Sequence, residues 1–186
     1  ALSYLMAFLT SILRFNMKVR DITRVATLTA VSIILGIIES YIPSIGVPGV
    51  KLGLANIAIV ITLYGYGWYY ALIVNILRVF IVSLIRGTIF QMGFFMSLTG
   101  AILSLSIMIL CKSFLKKLHI VSVSVLGSIF HVGGQIIIAI IFTSTPGIIY
   151  YFPFLLLTSI ITGIIVGFIS NACLRLPIFN NKQISN

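Results

Sequence analysis

Apolar runs of about twenty residues, separated by short polar breaks, dominate this chain, and runs of that length leave few choices of fold. A helix that crosses a bilayer needs about 20 mostly apolar residues, and its backbone groups must find their partners within the helix. Six stretches are candidates: 22–42, 52–66, 68–87, 89–111, 120–143 and 148–172. The second is short, and the sequence Tyr64-Gly65-Tyr66-Gly67-Trp68 turns it tightly into the third. Gly93 interrupts the fourth, and Pro153 falls in the first turns of the sixth, where proline is better tolerated. With 60% hydrophobic and 8% charged residues there is too little polar surface for a soluble domain. The expected fold class is an all-α membrane protein, a six-transmembrane-helix bundle over residues 17–176 followed by a tail at 177–186.

The formal charge is +10. In a soluble protein this balance would point to nucleic acid. Here the cations lie between the apolar runs, so they report topology and contact with anionic lipid headgroups, and no nucleic-acid partner is expected. Arg14, Lys18, Arg20 and Arg24 precede the first run. Lys112, Lys116 and Lys117 lie between the fourth and fifth, and Arg175 and Lys182 follow the sixth. Six spans put these on one side, against Lys51 and Arg86 on the other. The richer side is expected to be the cytoplasm, with both termini there and the protein multi-pass in a bacterial cell membrane. Cys111 and Cys173 then sit near cytoplasmic helix ends, where a disulfide or a thiolate metal site is not expected. The stretch ALSYLMAFLTSILRFN, residues 1–16, is too short to span and has no A-x-A-type cleavage site before Met17. Because Met17 and KVRDITR read as an ordinary start, 1–16 is taken as an extension or interfacial segment.

Polar residues inside the spans are costly to bury, so they mark where function resides. Arg78 lies near mid-depth of the third run. Asn75, three residues earlier, shares its helical face, and Arg86 projects to nearly the same side at the outer end. The fifth run carries His131-Val132-Gly133-Gly134-Gln135, which places His131 and Gln135 on one face with glycines between them that admit a close backbone or ligand. Glu39 ends the first run, Lys51 opens the second, and Asn56 lies about a turn deeper. All of these fall at the middle or in the outer half of the membrane.

Each has a plainer reading. Arg78 could pair with Glu39; His131 and Gln135 could tie helices together; Arg86 and Lys51 could be interfacial anchors; Tyr150 and Tyr151 could belong to an aromatic belt. Charge balance favours a site: Lys51, Arg78 and Arg86 face one carboxylate, Glu39, and a bound anionic or polar solute would supply the missing partner, as water or headgroups also could.

Absent motifs narrow the class. Asp21 and Glu39 are the only acidic residues and are far apart, so the clustered carboxylates of Mg²⁺–diphosphate chemistry are missing. There is no G-x-x-x-x-G-K-[ST] run and no cysteine–histidine cluster. The chain is not expected to be an enzyme, and no metal or cofactor is expected. Ala26 and Ala30 form a small-residue strip on the first helix where another helix could pack, as could Gly163 and Gly167 on the sixth; internal packing is the simpler use of either pair.

An alanine strip on helix one, the loop and helix start PGVKLGLAN at 48–56, and six spans in under 200 residues resemble the substrate-binding S components of energy-coupling factor (ECF) transporters. The segments KLGLANI, LRVFIVSLIRGTIF, GFFMSLTGAILSLSIM, HVGGQ and PGIIYYFPFLLLTSIITG resemble more closely the Gx transporter family, also labelled heptaprenyl diphosphate synthase component I; the likeness runs from residue 20 to 172. It implies an S-component fold that captures a small vitamin-like or cofactor-precursor solute outside. The protein would then dock through Ala26 and Ala30 on a transmembrane coupling protein carrying two cytoplasmic ATPases, and topple to release the solute inward. The loop from Tyr41 to Lys51 would be a lid, with Lys51 and Glu39 helping it close. Arg78 would take an anionic or carbonyl group, Asn56, Asn75 and Gln135 would hydrogen-bond the solute, and His131 would orient or stack. Two other readings stay open: a non-catalytic membrane subunit of an isoprenoid or quinone pathway enzyme, and a structural protein without a solute.

Overall fold

The structure, a computed structural model, describes residues 19–41, 53–115 and 117–176. The expectations for residues 1–16, for Lys51 and the loop before it, and for the tail fall outside the described residues. Among those described the order is α1 (Val19–Tyr41), α2 (Asn56–Gly65), α3 (Trp68–Ile85), α4 (Met92–Phe114), α5 (Ile120–Thr143), a 3-10 turn at Pro146–Tyr151, and α6 (Phe152–Leu174), with no strand. Five of these helices are long and apolar enough to cross a membrane.

The exception is α2. Its 10 residues reach only about 15 Å along the axis, half of a hydrocarbon core. The second span is therefore shorter than its sequence implies, because residues 53–55 form a turn in place of a first helical turn. Ser32, at the middle of α1, donates to the Ala55 carbonyl at 3.4 Å, which puts the start of α2 at mid-depth of the bundle. Seven of its ten residues are buried. Its far end is held by Lys112 of α4, whose Nζ donates to the Leu63 carbonyl at 2.7 Å and stands 4.9 Å from the centre of the Tyr64 ring. A cation there meets the negative end of the helix and an aromatic face together.

The breaks follow local chemistry. Gly67 caps the start of α3 at φ 105°, a conformation that a side chain would strain, so the tight turn between α2 and α3 depends on it. The fourth helix begins at Met92 and not at 89: Thr88–Gln91 closes a turn, with Gln91 N donating to the Thr88 carbonyl at 3.1 Å. Gly93 lies in the first turn of α4 and interrupts nothing. Pro153 sits in the first turn of α6, as expected.

Lipid is as apolar as leucine, so close packing and hydrogen bonds, not the exclusion of water, hold such helices together. The bundle uses glycine for this. A Cβ on Gly163 or Gly167 of α6 would lie 2.8 Å from Val125 Cα or 2.6 Å from Val121 Cα of α5, so this pair serves internal packing. A Cβ on Gly134 of α5 would lie 3.0 Å from Gly100 Cα of α4. Packing links α4 to α5, α5 to α6, α6 to α2, and α2 and α4 to α3; α1 lies against α3 and α2 and is the least buried of the five long helices. Ala26 and Ala30 are both exposed on it. Cys111 is buried, Cys173 half-buried, and both are free thiols.

Candidate functional site

Four helices converge on Arg78. It lies in the middle of α3 and is buried, at 6% exposure. Its Nη2 donates to Asn75 Oδ1 at 2.9 Å, and Asn75 Nδ2 in turn donates to the Ala101 carbonyl of α4 at 2.8 Å. Both ends of the Asn75 amide are thus occupied. Asn75 orients the guanidinium while itself being held by α4. Arg78 has no ion pair among the described residues, and its Nε is buried without a hydrogen-bond partner. Glu39 lines the same small cavity as Arg78, without an ion pair at contact distance between the two.

Glu39 is used elsewhere. It is buried near the end of α1, and its Oε1 accepts from Gly53 N and, at 3.3 Å, from Leu54 N. Helix α2 has no side-chain cap of its own at Ala55, so a carboxylate borrowed from another helix holds the turn that leads into it. Gly53 has φ 90°, and a Cβ there would stand 3.0 Å from Asn56 Nδ2 and 3.8 Å from His131 Cδ2. The start of α2, Glu39 and His131 are therefore neighbours. Asn56 is buried, at 3% exposure, and its Nδ2 has no partner.

His131 and Gln135 both lie buried on one face of α5, with Gln135 Nε2 at 3.1 Å from His131 Nε2. Gly100 seats them: a Cβ there would be 2.7 Å from the His131 carbonyl, 3.2 Å from its Nδ1 and 3.1 Å from Gln135 Cγ. The same stretch of α4, through Ala101, fixes Asn75. One turn of α4 thus sets the placement of both Arg78 and His131.

Between these groups lies a cavity of about 20 Å³, room for about one water molecule, lined by Gly36, Glu39, Arg78, Val79, Val82, Ser97 and His131. Of the residues expected at the site, Arg78, Glu39 and His131 line the cavity. Asn75, Gln135 and Asn56 stand behind or beside them. Arg86 does not line the cavity: it caps the end of α3 and is exposed, a position that also suits an interfacial anchor. Lys51 lies outside the described residues. Gly36 and Ser97 were missed. Gly36 is one turn before Glu39 on the same face of α1, and a Cβ there would come within 3.1 Å of Val82 and 3.9 Å of Arg78 Cγ, so it lets α1 approach α3. Ser97 donates to the Gly93 carbonyl at 2.8 Å, the usual concealment of a hydroxyl within a helix.

The arrangement can bind an acceptor. Arg78, with an unpartnered guanidinium nitrogen, lines a small cavity, the unpartnered amide NH₂ of Asn56 lies at the nearby start of α2, and among the described residues no group of His, Cys, Asp or Glu is placed to hold a metal. The family model described as heptaprenyl diphosphate synthase component I matches residues 28–173. No curated protein and no solved structure matches the chain.

Proposed function

This chain belongs to the heptaprenyl diphosphate synthase component I family, and we propose that it acts as the membrane-embedded solute-binding component of an energy-coupling factor transporter. It captures a small vitamin-like or cofactor-precursor solute from outside, with both termini in the cytoplasm, and passes it inward with a coupling protein and two ATPases. The observation that carries the reading is Arg78, a buried cation without an ion pair among the described residues, whose Nε is unpartnered and which lines a cavity. Leaving such a group unsatisfied costs several kcal/mol in a low-dielectric interior, and a solute oxygen would remove that cost.

A cavity of this size admits one polar group of a solute and not its whole body. Capture therefore involves an outward movement of α1, the least buried long helix, which brings Gly36 and Glu39 away from α3. The exposed Ala26 and Ala30 on the same helix offer a flat strip to a coupling protein.

The family's name favours a second reading, a non-catalytic membrane subunit for a prenyl diphosphate synthase. Catalysis by this chain itself is not proposed. Its two acidic residues, Asp21 and Glu39, are eighteen positions apart on α1, about 27 Å along the helix axis, and so are not the clustered pair that metal–diphosphate chemistry uses. Mass spectrometry of small molecules extracted from the gently purified protein separates the two readings. The first expects a bound, acceptor-bearing compound and copurifying ATPases. The second expects an empty extract, a copurifying soluble synthase, and an effect on that synthase that survives Arg78→Ala.

A further inference from the structure

Arg78, Glu39 and His131 are the ionisable side chains that line the cavity, and their hydrogen bonds indicate their charges. Arg78 is a cation. Glu39 accepts from Gly53 N and Leu54 N, the work of an ionised carboxylate. His131 Nε2 receives Gln135 Nε2 at 3.1 Å, so that nitrogen accepts and the neutral ring carries its proton on Nδ1. Among the described residues the charges lining the cavity therefore cancel, although the two ions do not touch: Arg78 is held by Asn75, and Glu39 by the turn before α2. A carboxylate or phosphate entering here would bring a negative charge that no lining cation is left to match, and an unmatched ion is costly in a low-dielectric interior. The walls call for a different kind of group. Arg78 Nε is a buried donor without a partner. The Glu39 carboxylate offers about four acceptor positions, and among the described residues only the Gly53 and Leu54 amides draw on them.

We propose that the part of the solute that enters the cavity is uncharged and amide-like: a carbonyl oxygen for Arg78 with a neighbouring N–H for Glu39, as in a carboxamide, lactam or imide. A group of this kind fits a space for about one water molecule. It answers both ions through hydrogen bonds, leaves the charge in the cavity balanced, and needs no proton to accompany it. Glu39 thereby acts as the selectivity residue, turning anions away from Arg78. This deepens the solute-binding reading above and rests on it.

Formamide and formate test the class without an identified solute, because they match in size and shape and differ in charge. A three-atom probe binds no tighter than about millimolar, so each is used at about 0.1 M. Thermal unfolding of the purified full chain in detergent is followed for the wild type and for Arg78→Met, whose shift gives the general solvent effect. If Arg78→Met does not fold, N,N-dimethylformamide, which lacks the N–H and is too large for the cavity, gives that baseline on the wild type. Above the baseline, formamide should raise the wild-type midpoint by about 2 °C or more, and formate, against sodium chloride at equal ionic strength, by less than about half as much. In Glu39→Gln, where Arg78 is left as the only ion of the pair, formate should overtake formamide. Formate equal to or ahead of formamide in the wild type, no Arg78-dependent shift with either probe, or no gain for formate in Glu39→Gln overturns the proposal. An empty extract counts against the solute-binding reading alone, and a wild-type preference for formate against the amide class alone.

Discussion

Arg78 reaches Asn75 across 2.9 Å, and the amide that receives it is locked from behind by the Ala101 carbonyl at 2.8 Å. This relay runs from α4 through α3 and fixes how the one buried arginine among the described residues presents its remaining nitrogens. The guanidinium is aimed before any solute arrives, so little ordering cost remains to be met on binding.

Asn75→Ala should therefore release Arg78 and weaken the α3–α4 contact together. Hydrogen bonds between membrane helices average about 0.6 kcal/mol and reach ~1.7. With a charged partner attached, the upper end is expected, a loss of about 1.5 kcal/mol. Thermal unfolding in detergent should show the midpoint falling by about 3–6 °C. An unchanged midpoint would mean that the relay orients nothing.

Glu39→Ala should loosen the entry to α2. Gly53 N and Leu54 N lose their acceptor, and α2 has no cap of its own at that end. Hydrogen exchange at residues 53–57 should accelerate by about tenfold or more, while the Lys112-held end near Leu63 stays protected. Glu39→Gln should fall between the two.

The two small-residue pairs should separate cleanly. Gly167→Ala places a Cβ 2.6 Å from Val121 Cα and should destabilise by about 1–3 kcal/mol through overpacking. Ala26→Leu with Ala30→Leu changes exposed positions and should move stability by less than about 0.5 kcal/mol. On the proposed function the double leucine variant abolishes copurification with the coupling protein. If the leucines leave that association intact, the docking strip is wrong.

Much of this architecture was legible from sequence, for identifiable reasons. Long apolar runs must be helices in lipid, so five of the six spans were found with their ends shifted by a few residues. The half-length of α2 was hidden, because Leu52–Asn56 is apolar enough to continue a helix and only the positive φ of Gly53 and the pull of Glu39 turn the chain there. Arg78, Glu39 and His131 were found as costly polar groups in apolar runs. That Arg86 lies exposed at the end of α3 was not legible, because a helical projection says which way a side chain points but not where the helix ends. The relay through Asn75 to the Ala101 carbonyl was not legible, since one sequence cannot tell an amide aimed at a solute from one aimed at a carbonyl on another helix. Gly36 and Gly100 carried no signal of their own; their meaning lies in what stands 3 to 4 Å away.

The central claim, that Arg78 is buried to hold a solute and not the fold, is met most directly by comparing wild type with Arg78→Met in stability and in bound small molecule. Arg78 is a buried cation with no ion pair among the described residues, so its charge carries a desolvation cost that an apolar side chain of similar length does not. The account predicts an unfolding midpoint equal to or above that of the wild type, together with loss of the compound that extraction and mass spectrometry recover from the wild-type protein. A midpoint that falls by many degrees, with the same compound still bound or none bound by either protein, would contradict it.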